Sequence, residues 1–293
     1  MRTTRKIWTN TFISLAAAAM LAGCAVTPVA EVASAPVAAP AAVQLVQLPA
    51  GNRTVDVSVY RPVAKPLGVL FMSHGGNSSP ARMRSLTDRL TAEGFVVLAP
   101  MHTDSLEAPD DVRTDLFAAF PTRIADLQAV SAYAAQSFPD LPYGAIGYSY
   151  GSLTSLIGVG MLRDMAQGTV PALKSAVTFS TPGVIPGMMD GDAAFTTIGR
   201  PTLLVTGTED VVPDFVPDGK MHQAYFERAP AGGRMMIVVG GATHRFVGGD
   251  EPGFSETWPV VVDFLKATVL DDAAAKIRLG AAKSTQQIEI SRR

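Results

Sequence analysis

The segment from Ala145 to Ser152 constrains the fold more than any other stretch of this chain. It begins apolar and continues into helix-like sequence, and Gly147 and Gly151 flank Ser149 in the Gly-x-Ser-x-Gly pattern of a nucleophile elbow. A serine hydroxyl attacks well only when it stands clear of the backbone, beside a base and near donors for an oxyanion. Glycines let neighbouring backbone pass close to so sharp a turn, because they carry no Cβ atom. The segment therefore predicts a strand, a tight turn that presents Ser149, and a helix.

Strand and helix signals alternate along the rest of the chain. Continuous apolar runs, such as residues 67–73 and 95–99, are typical of strands that helices cover on both faces. Between them lie segments with helical spacing of apolar residues, among them residues 150–165 and 218–229. The alternation predicts an α/β fold with a mostly parallel, doubly wound sheet of about eight strands and helices on both faces. Sites in such sheets form at the carboxyl ends of the strands.

A candidate acid follows the strand predicted at residues 201–206. Asp210 lies there in a Gly-x-x-Asp-x-x-Pro loop, one turn beyond the strand end. An acid at this place can reach a histidine on the neighbouring strand-end loop. Glu209 and Asp214 are the alternatives in the same loop.

A candidate base follows the next strand. The chain has four histidines, and two of them precede Ser149. His222 falls within a predicted helix and is interpreted as a surface residue. Only His244 lies on a strand-end loop after the acid, which gives the order serine, acid, histidine. The sequence thus predicts a catalytic triad of Ser149, Asp210 and His244.

An oxyanion hole requires two backbone N–H groups near the nucleophile. One is expected from Tyr150, directly after the serine, and the other from the loop after the strand at 67–73. Gly76 is preferred there because a glycine lets an acyl group approach the backbone, and Asn77 is the alternative. His74 is interpreted as a structural residue that holds this loop by hydrogen bonds.

Residues 181–199 offer candidate walls for a substrate pocket. Met188, Met189 and Phe195 are candidates for an apolar acyl site, since methionine adapts to varied shapes, and Asn77 is a further candidate. The alternative, that the two methionines simply pack beneath the loop, stays open.

The N-terminal sequence indicates export and lipidation. Residues 1–23 have a basic start, an apolar run too short to cross a bilayer, and small residues before Cys24, the single cysteine. This pattern resembles a bacterial lipobox, so residues 1–23 are expected to be a signal peptide and 24–42 a lipidated, Ala/Pro-rich tether. We expect residues 43–270 to form the catalytic domain and 271–293 a C-terminal extension. These features predict an envelope protein with a membrane lipid anchor. The absence of aspartate after the cysteine favours the periplasmic face of an outer membrane.

Composition limits the possible partners. The chain is 47% hydrophobic and 17% charged, with a formal net charge of −2. One large core can form from this composition, and no basic patch indicates a nucleic-acid partner. The sequence does not indicate an oligomeric state.

Further motifs accompany the predicted triad. They are residues 71–76, 92–104 and 123–127, together with the elbow, the Asp210 loop and His244. With these motifs the chain resembles the α/β-hydrolase superfamily, and within it the group similar to dienelactone hydrolases and platelet-activating-factor acetylhydrolases. The resemblance covers about residues 43–280.

The resemblance implies ester hydrolysis with no metal or organic cofactor. The predicted triad indicates an acyl-enzyme intermediate, and the short segment at residues 181–199 favours small or short-chain carboxylic esters. Two features depart from the family pattern: Ser149 replaces the cysteine of dienelactone hydrolases proper, and residues 181–199 are too short for a large lid. The alternatives are a phospholipid or polyester esterase, an amidase, and a catalytically silent envelope lipoprotein that only binds.

Overall fold

The computed structural model describes residues 42–293. The predicted signal peptide, Cys24 and the tether as far as residue 41 lie outside the described residues. No helix within 42–293 combines the length and the apolar composition needed to cross a bilayer.

The centre of the fold is a nine-stranded sheet with the strand order 1-2-4-3-5-6-7-8-9. The strands are Ala42–Ala50 (β1), Arg53–Arg61 (β2), Gly68–Ser73 (β3), Phe95–Pro100 (β4), Tyr143–Tyr148 (β5), Leu173–Phe179 (β6), Thr202–Glu209 (β7), Arg234–Thr243 (β8) and Ile288–Arg292 (β9). All pairings from β4 through β8 are parallel, whereas β1, β2 and β9 add antiparallel edges. The predicted mostly parallel sheet is confirmed, with one strand more than the expected eight or so.

Helices cover both faces of this sheet, as the sequence predicts. They are Arg84–Ala92 (α1), Ala119–Ser137 (α2), Tyr150–Gly158 (α3), Arg163–Ala166 (α4), Ala193–Thr196 (α5), Ala224–Glu227 (α6), Phe254–Val269 (α7) and Ala273–Ala281 (α8). Val69 and Phe71 of β3 pack into the core formed with α2 and α3, while Leu70 and Met72 pack into the core formed with α1 and α7. Because successive side chains of a strand point to opposite faces, a strand covered on both faces is apolar throughout.

Two predicted helices are shorter than their sequence periodicity indicates. The helix predicted at 150–165 ends at Gly158, because Gly160 takes a φ of +110° and packs where a Cβ would lie 2.6 Å from the Thr197 carbonyl oxygen. The helix predicted at 218–229 is divided into a 3₁₀ turn at Gly219–Gln223 and the short α6. In both places tertiary contacts, which periodicity does not report, decide the backbone path.

The segment after residue 270 is built into the sheet. Asp272 caps α8 by accepting a hydrogen bond of 2.7 Å from the Ala275 N–H. The chain then returns as β9, which pairs with β8, and Ile288 enters the core with 3% of its surface exposed.

We predict that Ile288→Ala lowers the free energy of unfolding by about 2–4 kcal/mol, since it empties a buried site. Ile277→Ala is the matched control, because Ile277 on α8 is 74% exposed and its truncation should cost less than about 0.5 kcal/mol. Urea unfolding of both variants measures the difference. Equal effects would show that the C-terminal segment does not share the core.

Candidate active site

Ser149 lies on a strained turn between β5 and α3. Its φ of +53° and ψ of −121° lie outside the regions that side chains favour. The turn is held from β6, since the Ser149 N–H donates to the Phe179 carbonyl oxygen at 2.9 Å. The residue is half-buried, so part of Ser149 is in contact with solvent.

The two glycines of the elbow are required by close backbone contacts. A Cβ on Gly147 would overlap the Gly151 carbonyl group, and a Cβ on Gly151 would overlap the carbonyl group of Ser73. These contacts are the close approach that the Gly-x-Ser-x-Gly pattern predicts. They press the elbow against the end of β3.

The three predicted triad residues meet at the carboxyl ends of β5, β7 and β8. His244 Nε2 lies 3.1 Å from Ser149 Oγ, and His244 Nδ1 lies 2.7 Å from Asp210 Oδ1. Both distances are those of hydrogen bonds, so the three side chains form one continuous chain. Of the acids in the loop, Asp210 alone makes this contact, while Glu209 and Asp214 are exposed.

Asp210 is buried and ionised. Burial alone raises the pKa of this carboxyl, but hydrogen bonds from His222 and His244 outweigh it and hold the pKa well below its usual range. Thr206 Oγ1 donates a further bond of 2.9 Å to Oδ2. The carboxylate is thereby fixed to accept from His244 Nδ1.

The interpretation of His222 as a surface residue is wrong. Its side chain has no exposed surface, and its Nε2 lies 3.0 Å from Asp210 Oδ1. The Pro217-Asp218-Gly219 sequence ahead of it is a turn signal that argues against the continuous helix on which the interpretation rested. No feature of the sequence places its ring beside the acid.

The loop that carries His244 is held from both sides. Tyr148 OH donates to the His244 carbonyl oxygen at 2.8 Å, and its ring lies 5.0 Å from the imidazole. The Glu251 carboxylate accepts hydrogen bonds from the backbone N–H and the hydroxyl of Thr243. Tyr148, which the sequence analysis did not single out, therefore positions the base.

The loop after β3 meets the elbow at Gly75, where a Cβ would lie 3.3 Å from the Ser149 Cβ, and Gly76 is the next residue of this loop. Asn77, the alternative donor, is engaged elsewhere, since its N–H donates to Asp104 Oδ2 at 3.2 Å. Within residues 42–293, no hydrogen bond occupies the Gly76 N–H. Tyr150 is the first residue of α3, so its N–H has no partner in the helix. This geometry favours Tyr150 and Gly76 over Asn77 as oxyanion donors.

His74 supports this loop from below. Burial, followed by the neighbouring His102 and Arg123, holds the pKa of His74 well below its usual value, so the imidazole is neutral. Its Nδ1 donates to the Gly75 carbonyl oxygen at 2.7 Å, and its Nε2 accepts from the His102 N–H at 3.1 Å. These contacts agree with a structural role.

Arg123 of α2 fixes the same loop with a buried ion pair. Its guanidinium donates to both oxygens of Asp104, at 2.9 and 2.8 Å. It also donates to the carbonyl oxygens of His74 and Gly75, at 2.9 and 3.2 Å. Burial raises the pKa of Asp104, but the bonds from Arg123 more than offset this and hold it below its usual value. With its carbonyls tied to Arg123, the loop is fixed beside Tyr150, whose ring lies 4.4 Å from the guanidinium.

A second Ser–His–Asp arrangement lies beneath the loop. Ser73 Oγ is 2.6 Å from His102 Nε2, and His102 Nδ1 is 2.8 Å from Asp126 Oδ2. All three side chains are buried. Burial, together with Arg123, keeps the pKa of His102 well below its usual value. This network links β3, the loop after β4 and α2, and it offers no surface to a substrate.

Two of the predicted pocket residues belong to the core. Met189 and Phe195 have no exposed surface, and both contact Tyr225, through its hydroxyl at 3.4 Å from Met189 Sδ and its ring at 5.5 Å from Phe195. This burial argues against their predicted role as pocket walls, and Met189 follows the alternative of packing beneath the loop. Met188 is half-buried and Asn77 is exposed, so both remain accessible to a ligand.

Asp210 and the two imidazoles beside it are residue types that can bind a metal ion. The ligand atoms of Asp210, His222 and His244 lie within 4.8 Å of one another. Asp210 Oδ1 already accepts a hydrogen bond of 2.7 Å from His244 Nδ1, and His222 Nε2 lies 3.0 Å from the same oxygen. A zinc ion would need its ligands at about 2.0–2.2 Å, in the space that these bonds occupy. The group is therefore best described as a hydrogen-bonded cluster.

Comparisons with known proteins identify the fold. No protein-family model matches the chain, and no curated protein sequence matches it significantly. A solved dienelactone hydrolase from Anabaena variabilis is similar with a TM-score of 0.60 and 18% identity, covering 79% of this chain and 100% of that one. An esterase from Pyrococcus furiosus has a TM-score of 0.58 and 19% identity, with coverages of 78% and 94%. An acylaminoacyl peptidase from Pyrococcus horikoshii has a TM-score of 0.63 at 9% identity, with coverages of 80% and 43%.

These likenesses show that the chain has the α/β-hydrolase fold, as its motifs predict. At such low identities the fold is what they establish. The chemistry has to be argued from the site.

We predict that Gly151→Ala costs at least about 2–3 kcal/mol of unfolding free energy, because the new methyl group meets rigid backbone at Ser73. Gly280→Ala is the control, since a Cβ there meets nothing within 4 Å and helix propensity favours alanine by up to about 1 kcal/mol. Thermal unfolding compares the two. A Gly151→Ala protein as stable as the parent would contradict the close approach.

Proposed function

We propose that this protein is a serine hydrolase that cleaves small or short-chain carboxylic esters through an acyl-enzyme intermediate. The observation that carries the proposal is the continuous chain from Ser149 through His244 to Asp210, at a strained elbow open to solvent. A nucleophile within reach of a base, and a base oriented by an acid, is the arrangement that nucleophilic acyl transfer requires.

In the first step, His244 Nε2 accepts the proton of Ser149 Oγ as the oxygen attacks the ester carbonyl. Asp210 keeps the other ring nitrogen protonated and stabilises the imidazolium that forms. The negative charge on the carbonyl oxygen is stabilised by the N–H groups of Tyr150 and Gly76. His244 then donates its proton to the departing alkoxide, which leaves an acyl group on Ser149.

In the second step, the same residues act on water. His244 removes a proton from a water molecule as its oxygen attacks the acyl carbon. The oxyanion is again held by the two N–H groups. Collapse of this intermediate releases the carboxylic acid, and the proton returns from His244 to Ser149.

Several observations favour small esters. Residues 181–199 contain only the short α5 and form no large lid, so little apolar wall is available for a long chain. Burial of Met189 and Phe195 in the core reduces that wall further. Esterases are among the similar solved structures, and so is a peptidase, which keeps amides as the alternative leaving-group class. The complete triad argues against a silent binding protein.

The location in the cell is a separate proposal, which rests on the N-terminal sequence. Lipidation at Cys24 after removal of residues 1–23 would anchor the hydrolase domain in a bacterial envelope membrane. A domain so placed would meet esters that enter the envelope.

We predict that Ser149→Ala lowers kcat for p-nitrophenyl acetate by 10⁴-fold or more, because it removes the nucleophile. It should also abolish labelling by a fluorophosphonate probe. Ser73→Ala is the control, since Ser73 belongs to the buried Ser–His–Asp network and should retain labelling. A loss below tenfold in Ser149→Ala would refute the proposal.

We also predict that kcat/KM falls at least tenfold when the acyl group of a p-nitrophenyl ester exceeds about eight carbons, because the site lacks a long apolar wall. A p-nitroanilide of the preferred acyl group should be turned over at least 10³-fold more slowly, since amines are poorer leaving groups. Activity confined to the long chains would instead favour a phospholipid or polyester esterase. Comparable rates on the anilide would identify an amidase.

A further inference from the structure

His222 lies beside both Asp210 and His244, because its Nε2 approaches the same carboxylate oxygen, Oδ1, that His244 Nδ1 contacts. It belongs to the 3₁₀ turn at Gly219–Gln223, and its ring is fully enclosed. The acid–base mechanism proposed for the site assigns it no task. A buried imidazole in direct contact with the acid of a triad requires a physical explanation.

Both ring nitrogens of His222 face acceptors. Nδ1 forms a short hydrogen bond with the Thr181 carbonyl oxygen. Nε2 lies 3.0 Å from Asp210 Oδ1 and 3.0 Å from the Asp210 carbonyl oxygen. Carbonyl and carboxylate oxygens cannot donate, and a neutral imidazole has a single N–H. Only the imidazolium, with a proton on each nitrogen, satisfies this geometry.

The charges around this imidazolium come from several elements. Asp210, after β7, supplies the negative charge in contact with it. His244, after β8, lies with its ring 6.1 Å away and inclined by 18°. The ring of Tyr148, on β5, lies 5.0 Å from that of His244. The charge of Glu251 raises the pKa of Tyr148, and the charge of Arg245 lowers it.

We propose that His222 is a positioning residue, a permanently charged imidazolium that orients Asp210 and sets the acid limit of the hydrolysis proposed above. Its positive charge offsets the negative charge of Asp210 as seen by His244. The acid limit of the hydrolysis therefore lies at a lower pH with this charge present than without it. The proposal rests on the proposed function of the triad.

The electrostatic environment of His222 agrees with its charge. Burial lowers the pKa of His222, but the hydrogen bond and charge of Asp210, followed by the Thr181 carbonyl, more than reverse this and raise it above its usual value. The same contact contributes to the low pKa of Asp210. Each group thus favours the charged form of the other.

The test is the pH profile of kcat/KM for His222→Gln. Glutamine can still donate a hydrogen bond to Asp210 but carries no charge. We expect the acidic limb to move up by about two pH units, as removal of a unit charge about 6 Å from the base predicts. On the acid side this is about a hundredfold loss, with the alkaline plateau changed by less than tenfold. Lys220→Gln is the control, because it removes a positive charge from the same turn at an exposed position, and its limb should not move.

An acidic limb that stays in place in His222→Gln overturns the proposal, as does a uniform loss at every pH, which would indicate a merely structural role.

A second measurement does not depend on turnover or on the variant's folding. Nitrogen NMR of the wild-type protein, with its four histidines, should show both His222 nitrogens protonated at pH 7. A neutral His222 overturns the proposal even if hydrolysis is intact, whereas failure of the proposed function would appear in Ser149→Ala and not in this spectrum.

Discussion

The contact on which the site depends is the approach of Gly151 to the carbonyl group of Ser73. A side chain at position 151 cannot be accommodated there, so α3 begins directly against the end of β3. The nucleophile on one strand and the oxyanion loop on the next are therefore placed by a single contact. Ser149 and Gly76 cannot move apart without separating the two central strands, which pair in parallel up to Ser73 and Gly147.

Two buried charge pairs fix the groups around the elbow that this contact does not hold. Arg123 with Asp104 holds the oxyanion loop on one side of Ser149, and His222 with Asp210 holds the base on the other. Burying ion pairs yields little net stability, because desolvation cancels most of the attraction. Such pairs instead fix the orientation of the side chains they join, since each charged group is satisfied in only a few geometries. One pair contacts the loop that carries the proposed oxyanion donor Gly76, and the other contacts the proposed base through Asp210. Stabilisation of charge by pre-organised dipoles needs rigidity at these two positions.

The sequence was sufficient for the parts of the site that follow from chain order. Because parallel strands end at one edge, a serine, an acid and a histidine that follow β5, β7 and β8 are expected to meet, and Ser149, Asp210 and His244 do. What it could not predict depends on contacts between distant segments. His222 reaches Asp210 because its turn packs on the end of β7, and α3 stops at Gly158 because Gly160 turns the chain with a φ of +110° where the Thr197 carbonyl leaves no room for a Cβ. Met189 and Phe195 look like a pocket in sequence, yet Tyr225, from another segment, draws them into the core.

The chain contains two Ser–His–Asp arrangements of nearly equal geometry, and they show what makes one of them a candidate for catalysis. The distances from Ser73 to His102 and from His102 to Asp126 are 2.6 and 2.8 Å, as short as those of the triad at the elbow. Ser73, however, is buried at the end of a regular strand. Ser149 sits on a strained turn that exposes its hydroxyl and leaves the Tyr150 N–H without an intrahelical partner. Both arrangements have the same hydrogen-bonded series of side chains, so it is the backbone around Ser149 that makes the triad at the elbow the candidate for catalysis.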